Sequence, residues 1–242
     1  MAETNHPNHV PFEVRISLGS PVILSYPWIM FDSLLAHLVL ERDYPDLLQT
    51  LPCRDPVDIG DIALPLARVD FDLDGAKTYL YHASCSRFIP VSLGVAHLRK
   101  KIAESNFQYL VTKKKQVDVV RGPFKAYDIT LISLNARECL FYGVGDIREV
   151  QGLLENLNGL GKKRASGYGR VLRVNVQQIK EDLSFRHPVW GLNRPFPVRC
   201  QVIPACAHEP HAQAILAYKP PYWSKGMAAL CYAPDGFASM GG

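Results

Sequence analysis

Residues 146–176 read DIREVQGLLENLNGLGKKRASGYGRVLRVNV and combine a helix pattern, a glycine-rich basic loop and a strand pattern. Asp146 is followed three residues later by a glutamate, which is typical of a capping box at the start of a helix. Apolar residues at helical spacing continue to about Asn158, and Gly159 predicts the end of this helix. After the loop, apolar and polar residues alternate from Leu172 onward and predict a strand.

Upstream of this segment, the sequence predicts a first strand and a first helix. Apolar and polar residues alternate from Val10 to Leu18, which indicates a half-buried strand. Leucines at helical spacing then predict a helix that ends near Asp43, with Asp32 and Ser33 as candidate caps.

Further strands are predicted between these two regions. They cover residues 79–88, 127–134 and 138–144, with the last two joined at Asn135 and Ala136; a short strand is placed near 67–71 and a short helix at 95–104. The core order is therefore β-α-β-β-α-β. This order predicts an α+β fold with a ferredoxin-like (RRM-like) core, in which two helices cover one face of a four-stranded antiparallel sheet.

The remaining sequence predicts additions to this core. Residues 10–179 form the ferredoxin-like domain, with insertions at about 44–126 that include an acidic stretch and an inserted basic arm. Eight prolines fall between residues 188 and 242, so residues 180–242 are expected to form a proline-rich C-terminal extension packed on the core.

Composition indicates the cellular compartment in which the protein is expected to act. The six cysteines form no CxxC pair, no apolar run approaches a membrane span, and the first thirteen residues lack a secretory signal pattern. We therefore expect a cytoplasmic protein with no membrane contact.

Positive charge is unevenly distributed along the chain. The net charge is +4, but residues 99–125 hold eight basic and two acidic residues, and 162–173 hold five basic residues and no acidic one. A polyanion is an expected partner.

The glycine-rich loop carries the main functional prediction. Its glycines leave the backbone free to let a ligand approach the N–H groups, its cations suit phosphodiester oxygens, and its tyrosine can stack on a base. A P-loop is excluded because Asn156 and Lys163 stand where glycine and Ser or Thr are required, and a dinucleotide fingerprint is excluded because the loop follows a helix. The alternative is a flexible helix-to-strand connection that is basic but binds no ligand. The candidate RNA-binding residues here are Gly159, Gly161, Lys162, Lys163, Arg164, Ser166, Gly167, Tyr168, Gly169 and Arg170.

A second basic segment lies within the predicted arm at residues 109–125. Its cations are interleaved with Tyr109, Phe124 and Tyr127, which favours a nucleic-acid contact over a solvated face. The candidate RNA-binding residues of the arm are Lys113, Lys114, Lys115, Arg121 and Lys125.

The loop GLGKKRASGYGRV, placed between the last helix and the last strand, resembles the glycine-rich loop of the RAMP superfamily of CRISPR-associated proteins. The resemblance covers roughly residues 10–179. The segments VDVVRGPFKAYD (117–128) and AYKPPYW (217–223) are most similar to the type IV subunit that caps the five-prime handle of the guide RNA in a Cascade-like effector.

This resemblance implies a non-catalytic, guide-RNA-binding subunit that holds the five-prime handle and contacts the neighbouring backbone and large subunits. The arm would kink the guide, and target DNA is a further candidate partner. No cofactor is implied.

Two alternatives remain open. A metal-independent guide-RNA processing endoribonuclease of the same superfamily would need a general acid or base, for which His37 and His82 are the candidates. A protein-binding ferredoxin-like module with an acidic partner is the second. No metal site is expected, because the spacing of the C-terminal thiols and imidazoles matches no standard zinc pattern. Those residues are Cys200, Cys206, His208, His211 and Cys231.

Overall fold

The computed structural model describes residues 8–46, 62–101, 118, 120–121, 124–200, 211–222 and 225–235. Within them the chain is an α+β protein, as predicted. The strands are β1 (Val10–Leu18), β2 (Val22–Ile23), β3 (Arg68–Leu73), β4 (Ala76–Tyr81), β5 (Arg87–Lys100), β6 (Tyr127–Gly145), β7 (Val171–Gln178), β8 (Arg186–His187), β9 (Gly191–Leu192), β10 (Phe196–Pro197), β11 (Gln213–Ala217) and β12 (Ala228–Tyr232). The helices are α1 (Phe31–Asp43) and α2 (Ile147–Leu154). None of the described helices has the length and apolar character needed to cross a membrane.

The main sheet has the spatial order β5-β6-β1-β7, and every neighbouring pair is antiparallel. The 19-residue strand β6 organises this sheet. Its C-terminal half pairs with β1, and β2 continues along the same edge of β6 beyond the turn that follows β1. On its other edge β6 pairs with β5 as far as Lys100 and Tyr127, so the two strands extend past the sheet as a long ribbon.

The main hydrophobic core lies between this sheet and the two helices. Phe12, Val14 and Ile16 of β1 are fully buried, because alternate side chains of a strand point to the same face. They belong to one cluster with apolar residues of both helices, including Phe31 of α1 and Val150 of α2. The connection between α2 and β7 therefore begins and ends in elements that are packed in the main core.

A second hydrophobic core joins distant parts of the chain. The β3–β4 hairpin contributes Val69 and Leu80, and the three-stranded sheet β10-β12-β11 with its flanking loops contributes Phe196, Tyr218 and Cys231. A hairpin from the predicted insertion and the predicted C-terminal extension thus share one core.

A buried ionic cluster fastens this C-terminal part to the N-terminus of α1. Arg194 and Asp32 are both completely buried, with Nη2 of the arginine 3.4 Å from Oδ2 of the aspartate. The Tyr222 hydroxyl donates to Asp32 at 2.8 Å, and Arg194 donates to the carbonyl oxygens of Tyr81, Ala83 and Tyr218. Burial raises the pKa of the Asp32 carboxyl, although the charge of Arg194 and the hydrogen bond from Tyr222 act in the opposite direction.

Two predicted elements near the ribbon are wrong. The helix predicted at 95–104 is strand as far as Lys100, because β6 supplies a backbone partner at each position from 92 to 100. The strand pair predicted around Asn135 and Ala136 is one continuous strand. The amide of Asn135 donates across the ladder to the Ser92 hydroxyl at 2.8 Å, and the register irregularity opposite it, at Ile89–Ser92 of β5, does not end the strand.

Several predicted boundaries also shift. The strand predicted at 79–88 is split, since β4 ends at Tyr81 and β5 begins at Arg87. Asp32 does not cap α1, whose N-cap is Met30 without a side-chain hydrogen bond. The α2 helix ends at Leu154 instead of 158, while its predicted cap Asp146 is confirmed by hydrogen bonds from the amides of residues 148 and 149.

Candidate nucleic-acid interface

The glycine-rich loop between α2 and β7 is closed at its base by main-chain pairing. Gly159 and Arg170 form an antiparallel bridge, and the amide of Leu160 donates to the carbonyl of Gly169 at 2.8 Å. The Leu160 side chain is 1% exposed and belongs to the main core. The loop is therefore anchored in the folded protein at the point where it starts.

The turn between β1 and β2, together with β2 itself, holds the loop from a second side. The amide of Lys162 donates to the carbonyl of Ile23 at 2.7 Å, and the amide of Gly169 donates to the carbonyl of Pro21 at 2.8 Å. The amide of Arg170 donates to the Ser20 hydroxyl. The prediction of an open backbone is thus corrected for these positions, because the protein itself occupies the donors.

The tip of the loop is a short 3-10 helix, Arg164–Ser166. It is flanked by Lys163 with φ 62° and Gly167 with φ 87°, both in the left-handed region. A left-handed conformation costs a residue with a side chain about 1 kcal/mol or more, so the surrounding hydrogen bonds must maintain it. At this tip, the amides of 163–165 donate to no acceptor among the described residues.

The cations of the loop are exposed, and no carboxylate among the described residues pairs with them. Lys162, Lys163, Arg164 and Arg170 are all exposed, and within the described ranges no Asp or Glu lies at ion-pair distance from them. Some arginines elsewhere in the chain are paired with carboxylates: Arg15, for example, contacts two glutamates at 2.6 Å and 3.0 Å. The loop therefore presents an uncompensated positive charge, which suits a polyanion.

A groove of about 430 Å³ lies beside the loop. Lys162 and Arg164 form part of its lining, and α1 contributes Leu34 and His37 to it. Tyr26 and Trp28, from the connection between β2 and α1, also line it. These two aromatic residues were not among the predicted site residues; the aromatic residues that flank the proline in SYPW (25–28) were the available signal.

The other predicted site residues are placed as follows. Ser166 is exposed and Tyr168 half-buried, both within the loop, while Arg121 and Lys125 are exposed before β6. Lys113, Lys114 and Lys115 lie outside the described residues. His82 does not line the groove beside the loop: its Nδ1 lies 2.7 Å from Asp182, and its ring stacks on Phe185 with centroids 4.4 Å apart.

Cys231 and His211, two of the C-terminal candidate metal ligands, lie among the described residues and contact other parts of the protein. Cys231 is buried, and burial raises the pKa of its thiol to about 12. His211 has a carboxylate neighbour, Asp235, at 3.3 Å. Cys206 and His208 lie outside the described residues, and within the described ones no three potential ligands are grouped for a metal ion.

Replacement of Gly169 by alanine is expected to loosen the loop. Gly169 has φ 67°, and an added Cβ would overlap the carbonyl oxygen of Leu160. The overlap could be relieved only by a shift of the backbone. We expect the free energy of unfolding, measured in urea, to fall by about 2 kcal/mol. Gly167→Ala is the matched control, since its φ is also positive but no atom lies within 4 Å of the added Cβ. Equal losses in the two variants would contradict the anchoring role of Gly169.

Comparison with known proteins shows a family match. Residues 80–234 match the family model described as CRISPR type IV associated protein Csf3. This range contains β5 to β12, α2 and the whole glycine-rich loop. No curated protein matches the chain.

Proposed function

The chain belongs to the CRISPR type IV associated protein Csf3 family, and on that premise we propose that it binds guide RNA as a non-catalytic subunit of a Cascade-like effector complex. In this proposal the glycine-rich loop holds the sugar-phosphate backbone of the five-prime handle, and the protein acts in the cytoplasm.

The observation that carries the proposal is the presentation of the loop cations. Lys162, Lys163 and Arg164 are consecutive, exposed and free of carboxylate neighbours within the described chain. The main-chain bonds from Lys162 to Ile23 and from Gly169 to Pro21 fix the backbone of the loop that carries them. A loop backbone that is already ordered loses little further conformational entropy when its cations bind phosphates.

The topology of the main sheet supports a ferredoxin-like, RRM-like plan. In chain order its four long strands are β1, β5, β6 and β7, and the helices fall after the first and the third of them. Their spatial order β5-β6-β1-β7 brings the first and third strands to the centre. This arrangement agrees with the β-α-β-β-α-β plan that many single-stranded RNA binders use.

The β5–β6 ribbon supports contacts with other subunits. Val95 and Ile132 are direct cross-strand partners, 62% and 73% exposed, and Leu93 is exposed on the same face two residues away. Clustered exposed apolar side chains mark protein interaction surfaces. We assign this face to a neighbouring backbone or large subunit. The arm with Lys113, Lys114 and Lys115, which follows β5 in the chain, is assigned to the guide RNA and to target DNA.

The proposal is tested by binding of labelled RNA that carries the repeat-derived five-prime handle. We expect wild-type protein to bind it with an affinity that falls steeply as salt increases, because each phosphate contact releases counterions. An RNA of the same length with a scrambled handle separates handle recognition from general affinity. Salt-independent binding, or no binding, would refute the proposal and favour the protein-binding module.

A specific observation also favours a second candidate, the endoribonuclease. His37 lines the same groove as Lys162 and Arg164, so an imidazole lies near the proposed position of the RNA backbone. We nevertheless expect wild-type protein to leave the handle RNA intact during an overnight incubation with EDTA. Cleavage by wild type that is lost in His37→Ala would establish the endoribonuclease instead.

A further inference from the structure

We infer that the groove between α1 and the loop receives one unstacked base of the bound RNA, while the adjoining phosphate lies on the loop cations. This inference rests on the proposed function. It adds a base-binding site beside the loop cations, which hold the RNA backbone.

The size and walls of the groove suit a planar base. A volume of about 430 Å³ falls within the range of pockets that hold small ligands. Apolar side chains form most of its walls: Leu24, Ile29, Leu34, Leu160, Ile215 and Leu216. Tyr26 is 69% exposed and shares the lining with Trp28, so an aromatic face is available for stacking. Proteins that recognise single-stranded RNA hold splayed bases between such surfaces.

The distribution of polar groups favours a nucleotide over an apolar peptide side chain. Ser33 and His37 supply hydrogen-bonding groups on the α1 wall, and these groups can bond to the edge of a base. Lys162 and Arg164 lie on the loop wall, and among the described residues no Asp or Glu lines the groove. A ligand with an apolar ring and an adjoining anion matches this arrangement.

The far wall of the groove is held by the buried ionic cluster. Tyr222 lines the groove, and its hydroxyl donates to Asp32, which Arg194 also contacts. On the opposite side, the loop is bonded to Ile23. Both walls are therefore fixed before RNA binds, which lowers the cost of ordering the site.

The test uses full-length protein and handle RNAs in which one nucleotide at a time is made abasic. We expect one position to weaken binding about tenfold or more, because stacking on aromatic side chains contributes strongly for each base. A 2-aminopurine placed at that position should change its fluorescence when the protein binds.

Two pairs of variants link this effect to the groove. Tyr26→Ala is compared with Tyr44→Ala, an exposed tyrosine at the end of α1 that does not line the groove. Ile215→Trp, which fills the groove, is compared with Leu230→Trp, because the two residues are exposed cross-strand partners and only Ile215 lines the groove. Tyr26→Ala and Ile215→Trp should abolish the sensitivity to the abasic position, and their controls should preserve it.

The outcomes separate this inference from the function on which it rests. If handle RNA binds with the expected salt dependence but no abasic position matters, the base site is refuted and the backbone-binding function remains. If an abasic position matters equally in Ile215→Trp and wild type, the base is bound elsewhere and the inference is wrong. If handle RNA does not bind at all, both are refuted.

Discussion

Combined replacement of Lys162, Lys163 and Arg164 by alanine is expected to lower the affinity for handle RNA about 100-fold at physiological salt, because three charge-assisted phosphate contacts are lost together. The slope of log affinity against log salt should decrease by about 2, since each contact with a single strand contributes about 0.7. Both quantities are measured by filter binding or fluorescence anisotropy across a salt series. The side chains are exposed, so the unfolding curve should not change.

A control with the same change in net charge separates local contacts from the overall field of the protein. Lys77, Arg148 and Lys180 are exposed and lie outside the loop, and their combined replacement by alanine removes three positive charges. We expect this control to lose much less affinity than the loop variant. Similar losses in both would show that net charge alone attracts the RNA, and an unchanged affinity in the loop variant would contradict the proposed role of the loop.

The largest expected effect on stability follows replacement of Arg194 by methionine. This change leaves the Asp32 carboxylate and the carbonyl groups of Tyr81, Ala83 and Tyr218 without their buried donor. Removal of one partner from a buried ion pair typically costs about 3 to 5 kcal/mol. The midpoint of urea denaturation should therefore fall to a lower urea concentration, although the Tyr222 hydroxyl still donates to Asp32.

Arg199→Met provides the control for this prediction. Arg199 also contacts an aspartate, Asp74, at 2.6 Å, but both side chains are exposed to solvent. Exposed ion pairs contribute little to stability, so this variant should unfold at nearly the wild-type urea concentration. An Arg194→Met variant as stable as Arg199→Met would show that the buried cluster does not hold the two parts together.

The sequence alone predicted those elements whose patterns are local. The range of β1 is confirmed, because alternation along one strand already determines which residues face the core. The start of α2 is confirmed as well, since the contact of a cap with nearby amides depends only on neighbouring residues. The basic residues of the loop were likewise identified from the sequence.

The ribbon was mispredicted because its conformation depends on a distant partner. Residues 95–100 have apolar residues at spacings compatible with either a helix or a strand. Pairing with β6 decides between them by satisfying their backbone groups. Asn135 was predicted to join two strands because asparagine often occurs in turns. In the structure its position inside the β-ladder overrides this local preference.

For the candidate site, the residue pattern alone showed which residues carry positive charge and that glycines surround them. Folding was needed to show that the loop amides bond to the β1–β2 turn and to β2, and that Tyr26 and His37 line a groove beside Lys162. It also decided that Asp32, predicted as a helix cap, is paired with Arg194 from the other end of the chain. Charge and turn preference belong to single residues and their neighbours, whereas grooves and buried ion pairs exist only once packing brings remote segments together.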